Sequence, residues 1–122
     1  MPQLFFKRIF QQAIREGRKQ TTIRRWDRPL LVAGQQAFSP GLGWLFIDAV
    51  EVVELENLND DHARADGFDT KLLLVQSLRA FYPNFDRDQK QWFLIRFRLH
   101  QPQSSRESSV GNVANKLEQL LP

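Results

Sequence analysis

The sequence predicts an α+β domain, a small barrel or curled sheet with two main helices. Two observations predict it. KQTTIRRW (19–26), WLFIDAVEVVEL (44–55) and QWFLIRFRLH (91–100) are dense in β-branched and aromatic residues and read as strands. KRIFQQAIREG (7–17) and DTKLLLVQSLRAFYP (69–83) instead repeat their apolar residues at helical spacing.

Taken in order, LFF at 4–6 is a short apolar run that suits a strand. In the first helix Ile9, Phe10, Ala13 and Ile14 recur on one side, and Gly17 stands where a C-terminal cap wants positive φ. After the strand 19–26, Pro29 and Gly34 punctuate two short extended pieces in DRPLLVAGQQAF. SPGLG (39–43) is a turn by composition. The strand 44–55 follows, its later half placing Val50, Val52 and Glu54 opposite Glu51, Val53 and Leu55. LNDDHARADGF predicts a short helix or turn ending near Gly67. Asp69 or Thr70 caps the second helix, Leu74, Leu78 and Phe81 form its stripe, and Pro83 ends it. In the strand 91–100, Trp92, Leu94, Arg96 and Arg98 alternate with Phe93, Ile95, Phe97 and Leu99. QPQSSRESSVG is a polar linker, and NVANKLEQLL predicts a short amphipathic helix that could dock on a protein partner.

A chain of 122 residues can bury a core without a staple. It has no cysteine, which excludes a disulfide framework, a thiolate zinc site and a catalytic thiol. His62 and His100 are the only imidazoles and lie far apart, so no metal site and no cofactor is expected. Lys7 and Arg8 interrupt the apolar N-terminus, and no stretch has the length of a membrane span. A cytoplasmic protein without a membrane partner is expected. The net charge is only +3, yet residues 1–28 hold eight Lys or Arg against Glu16 and Asp27. Residues 49–69 reverse the balance, with Arg64 the lone cation among carboxylates. Such a split suits a polyanion at one end, or two segments of opposite sign that face each other.

Four features together resemble the ASCH domain, of the PUA-like β-barrel superfamily. GRKQTTIR (17–24) is close to the family's G-x-K-x-x-T-x-R pattern, and AGQQAF precedes a Gly-rich turn and a long strand. DDHARADGFDT is similar to an acidic segment with a D/E-G-F signature, and FYP ends a helix before a terminal strand like WFLIRFRL. The resemblance covers roughly residues 3–100 and implies a domain over 1–100, with 101–122 outside it. It also implies a PUA-like barrel and work with RNA or nucleotides. One branch that the chain resembles consists of amidohydrolases that deacetylate N4-acetylcytidine-type nucleosides. Their catalytic set falls on Lys19, Thr22 and Asp66, with Asp66 standing where that branch has Glu. Other ASCH proteins are associated with RNA cleavage.

Amide hydrolysis needs a nucleophile, a base, an oxyanion donor and an acid for the leaving amine. Thr22 offers the hydroxyl, Lys19 a base if its pKa is depressed, and Asp66 a proton relay. Arg24 can hold a carbonyl or phosphate in a bidentate grip. In a regular strand Lys19 shares a face with Thr21 and not Thr22, so pairing Lys19 with Thr22 requires Lys19 to precede the strand. The leading expectation is an RNA- or nucleotide-binding pocket with a rim of Arg18, Thr21, Arg24 and Arg25 around Lys19. A nucleoside amidohydrolase and an RNA nuclease are its alternatives. The structural alternative is that TTI fills a strand, Lys19 blunts a sheet edge, Asp66 caps a turn and the aromatics are core.

Overall fold

The computed structural model describes residues 2–100, so the linker and amphipathic helix expected over 101–122 lie outside the described residues. The first helix, α1 (Arg8–Arg15), ends as its glycine predicts. Gly17 takes φ +79°, and the amides of Gly17 and Arg18 donate to the carbonyls of Ile14 and Ala13 at 3.1 and 2.9 Å. This is a Schellman turn, open to glycine because it lacks a Cβ. The stripe is narrower than its spacing suggests: Ile14 is buried, whereas Ile9 is 76% exposed.

The strands are β1 (Thr21–Trp26), β2 (Gln36–Ser39), β3 (Gly43–Val53) and β4 (Gln91–Leu99). They form one antiparallel sheet in the order β1-β4-β3-β2. Because β1 and β2 are edges that do not pair with each other, the sheet is a curled, open half-barrel, the second of the two expected forms, and not a closed barrel. A bulge between Ile47 and Ala49 interrupts the long β3 and lets it bend. Of the two extended pieces expected between 27 and 38, only β2 joins the sheet. The first is held by buried Leu31, and Gly34 turns at φ +89°. The run at 4–6 is likewise no strand: Leu4 hydrogen-bonds to Phe38, and Gln3 and Phe38 form an isolated bridge.

After a short 3-10 turn (Leu55–Asn57) come α2 (Asp60–Ala65) and α3 (Lys71–Phe81), so among the described residues three α-helices accompany the sheet. Asn59 caps α2 reciprocally with His62: the Asn59 side chain accepts from the His62 amide, and the His62 ring accepts from the Asn59 amide. Of the two cap candidates for α3, Thr70 does the capping, accepting from the amide of Leu73 at 3.3 Å. Strand β4 is buried on both faces. Phe93, Ile95 and Phe97 join Leu4, Phe6, Ile14, Leu45 and Ile47 in one core. Trp92 and Leu94 join Ile23, Leu58, Ala63, Leu74 and Leu78 in the other. Among the described residues no helix is long and apolar enough to cross a membrane.

Candidate functional site

Helix α2 ends the way α1 does. Gly67 takes φ +93°, its amide donates to the carbonyl of Arg64 and that of Phe68 to Ala63, at 3.0 and 2.8 Å. The two Schellman turns meet. The amide of Gln20 donates to the Ala65 carbonyl at 2.6 Å, joining the exit of α1 to the last turn of α2. Lys19 therefore lies in the connection before β1, which begins only at Thr21, and is free of strand alternation. This is the placement that lets its side chain share a wall with Thr22.

Asp66, Gly67 and Phe68 wrap the Lys19 side chain. The Lys19 ammonium donates to the Asp66 carboxylate and, at 2.9 Å, to the Asp66 backbone carbonyl. Its aliphatic stem packs over Gly67 at van der Waals distance, so that a Cβ there would sit 3.4 Å from Lys19 Cβ. Its Nζ lies 5.1 Å from the ring centre of Phe10 and 5.9 Å from that of Phe68. The ammonium also meets the carbonyl end of α2, where a cation is favoured. The ion pair is deeply buried, with 4% of the Lys19 side chain and 3% of that of Asp66 exposed.

Burial sets the proton affinities. It pushes the Lys19 ammonium pKa down, against the attraction of Asp66, and nearby Arg24 pushes the same way. It pushes the Asp66 carboxyl up, against Lys19, Thr21 and Arg24. Burial thus favours the neutral form of each partner, while their mutual attraction favours the charged pair. Burial also lowers the Arg24 pKa, opposed by Tyr82 and Asp66.

A cavity of about 470 Å³ opens beside the free edge of β1, between α1 and α3. Lys19, Thr22, Arg24 and Asp66 all line it, so the structure brings the three candidate catalytic groups and one binding candidate to one space. The Arg24 guanidinium donates from Nε to the Thr22 hydroxyl oxygen at 3.0 Å and from Nη2 to the Phe5 carbonyl at 2.5 Å. Six aromatic residues, Phe5, Phe6, Phe10, Phe68, Phe81 and Tyr82, supply much of the remaining wall.

Three residues of the expected rim lie elsewhere. Arg18 is exposed and pairs with Glu16. Arg25 points to the opposite face of β1 from Arg24, where it pairs with Asp88 at 3.1 Å and stacks 4.7 Å from the Trp92 ring. Thr21 is buried; its hydroxyl favours the charged Asp66, yet neither its oxygen nor Asp66 Oδ2 reaches a partner within hydrogen-bond distance. Period-two alternation along β1 separates Thr21 and Arg25 from Thr22 and Arg24, and that signal was present in the sequence. Lys7, Phe10, Ser77 and Tyr82 also line the cavity and carry no local motif that would announce it. Among the described residues no group of three or more His, Asp or Glu converges as metal ligands.

No protein-family model matches the sequence, and no curated protein matches it. Solved structures do match the fold. Protein EF3133 from Enterococcus faecalis V583, described as DUF984, is similar at 17% identity and TM-score 0.65, over 89% of this chain and 86% of that one. An ASCH domain from Lactobacillus crispatus JV V101 is similar at 14% identity and TM-score 0.61, over 75% and 70%. Hypothetical protein PH0355 is similar at 17% identity and TM-score 0.65, over 77% and 94%. The architecture is therefore an α+β half-barrel with helices packed on a curled antiparallel sheet. More particularly, it is an ASCH-like fold.

Proposed function

We propose that the chain recognises a single nucleoside unit, free or carried by RNA, in the cavity beside β1. The observation that carries this reading is the wall itself. Aromatic rings surround a buried Lys19–Asp66 ion pair in about 470 Å³, within the range of small-molecule sites. Rings can stack on a base while the polar groups at the base of the cavity fix its edge. Such a space admits one unstacked base and is too small for a helix of RNA. The resemblance of the sequence to the ASCH domain, which implies work with RNA or nucleotides, agrees with this reading. In the test, nucleosides and short single-stranded RNAs are titrated calorimetrically into the full chain and into Phe68→Ala. Saturable binding weakened by Phe68→Ala is expected. Absence of binding to every nucleoside and RNA would overturn the reading.

A second reading, hydrolysis of an amide on a modified base such as acetylcytidine, is favoured by Thr22 sharing the wall with a Lys19 whose pKa is lowered. Burial lowers the Lys19 pKa, and in its neutral amine form Lys19 can take the proton of the Thr22 hydroxyl. The Thr22 oxygen then bonds the acyl carbon, negative charge develops on the acyl carbonyl oxygen, and the unused N–H groups of Arg24, whose Nε already donates to Thr22, can donate to it. The ammonium formed on Lys19 returns its proton to the leaving nitrogen as the C–N bond breaks, and water cleaves the remaining ester. The test is turnover of acetylcytidine by the native chain and by Lys19→Ala and Thr22→Ala. Acetate release lost in both variants supports hydrolysis, and release retained in Thr22→Ala refutes it.

A further inference from the structure

The charges around the cavity do not balance. Lys7, Lys19 and Arg24 line it against the single carboxylate of Asp66, and that carboxylate is taken by Lys19. Arg24 is half-buried and meets no carboxylate among the described residues. Its hydrogen bonds go to neutral oxygens, those of Thr22 and Phe5, through Nε and Nη2. A guanidinium has five N–H donors, so Nη1 and part of Nη2 stay available. Lys7, exposed at the rim, likewise has no carboxylate partner among the described residues, and its Nζ lies 5.3 Å from the ring centre of Phe81. Asp66 attracts Arg24 only from beyond ion-pair distance and is itself engaged by Lys19, so this partly buried cation is short of counter-charge, and a ligand anion supplies it.

We infer that the unit recognised here carries a phosphate, held by Arg24 inside and Lys7 at the rim, so that the ligand class is a nucleoside monophosphate, free or at the end of an RNA strand. The inference rests on the nucleoside reading above and adds the anion to it. The aromatic wall takes the base. The planar fork of Arg24 takes two phosphate oxygens, a geometry that a lone ammonium does not offer. Lys7, on a flexible stem at the opening, adds attraction that salt screens.

The test titrates nucleosides, their 5′- and 3′-monophosphates, a 5′-phosphorylated RNA trimer and inorganic phosphate into the full chain at low and high salt. At low salt a monophosphate is expected to bind about 10- to 100-fold tighter than its nucleoside, the worth of one hydrogen-bonded charge contact. Arg24→Gln is expected to lower monophosphate affinity far more than nucleoside affinity, so that the ratio of the two falls toward one. Lys7→Gln, at an exposed position that does not threaten folding, lowers it several-fold and flattens its salt dependence. Thermal unfolding of Arg24→Gln checks its fold, and if it does not fold, Lys7→Gln decides. Preference for the trimer assigns the phosphate to a strand end, and preference for the mononucleotide to a free nucleotide; both support the inference. Equal binding of nucleoside and monophosphate overturns it and leaves the nucleoside reading standing. Inorganic phosphate binding as tightly as any nucleotide also overturns it. Failure of nucleosides and nucleotides alike overturns both readings.

Discussion

Breaking the Lys19–Asp66 pair one partner at a time separates its two possible burdens, holding the fold and serving the cavity. Both side chains are almost wholly enclosed, at 4% and 3% exposure. Removing one leaves the other charged group buried without its partner, a change worth roughly 3–5 kcal/mol. A domain of this size has only about 5–15 kcal/mol in total. We therefore expect Lys19→Met and Asp66→Asn each to lose about a fifth or more of the stability. In thermal unfolding, a loss of 3 kcal/mol at about 4–8 °C per kcal/mol is a drop of roughly 12–24 °C. The double variant buries no orphaned charge and is expected to be at least as stable as either single one.

The pH dependence of the two variants runs in opposite directions. In Lys19→Met the carboxyl of Asp66 keeps a folded pKa above its ordinary 3.8. The stability it contributes is complete below that ordinary value and is lost as pH rises through the folded one. Lys19→Met should thus recover on acidification. In Asp66→Asn the Lys19 ammonium keeps a folded pKa below its ordinary 10.5. Its contribution is present above 10.5 and is lost as pH falls through the folded value, so Asp66→Asn should recover on alkalinisation. Urea unfolding across pH measures both slopes. Single losses below about 1 kcal/mol, the range of exposed ion pairs, would refute the reasoning. So would losses that simply add in the double variant, or slopes of the same sign.

Three further outcomes follow from the geometry. Gly67→Ala places a Cβ at φ +93° and 3.4 Å from Lys19 Cβ, and should cost about 1–2 kcal/mol by denaturation while weakening ligand binding. Arg25→Met removes a pair with Asp88 on the far face of β1, and titration should show ligand affinity unchanged within twofold. Thr70→Ala uncaps α3 and should cost about 0.5–2 kcal/mol in urea unfolding.

How much of this was legible in the sequence depended on how local each signal is. Gly17 and Gly67 mark helix ends because only a few residues tolerate the left-handed turn, and both helix exits follow from them. The strands at 21–26, 43–53 and 91–99 were visible as β-branched and aromatic runs. The three residues matched by pattern, Lys19, Thr22 and Asp66, do reach one cavity. Adjacency in sequence misled where alternation should have guided: Arg25 neighbours Arg24 yet serves the other face. The choice between closed barrel and curled sheet was not legible, because whether two edges close depends on strand stagger and on what covers the edge. Phe10 and Tyr82 were out of reach too, since their helices approach the cavity only once the tertiary fold exists.

Strand β4 has a consequence for how the molecule comes apart. With Phe93 and Ile95 anchored in one apolar cluster and Trp92 and Leu94 in the other, neither half can loosen while its neighbour stays intact. Amide protons along Gln91–Leu99 should then exchange with solvent only when the whole molecule opens. A substitution such as Phe93→Ala should register on the far side of the sheet as strongly as beside itself.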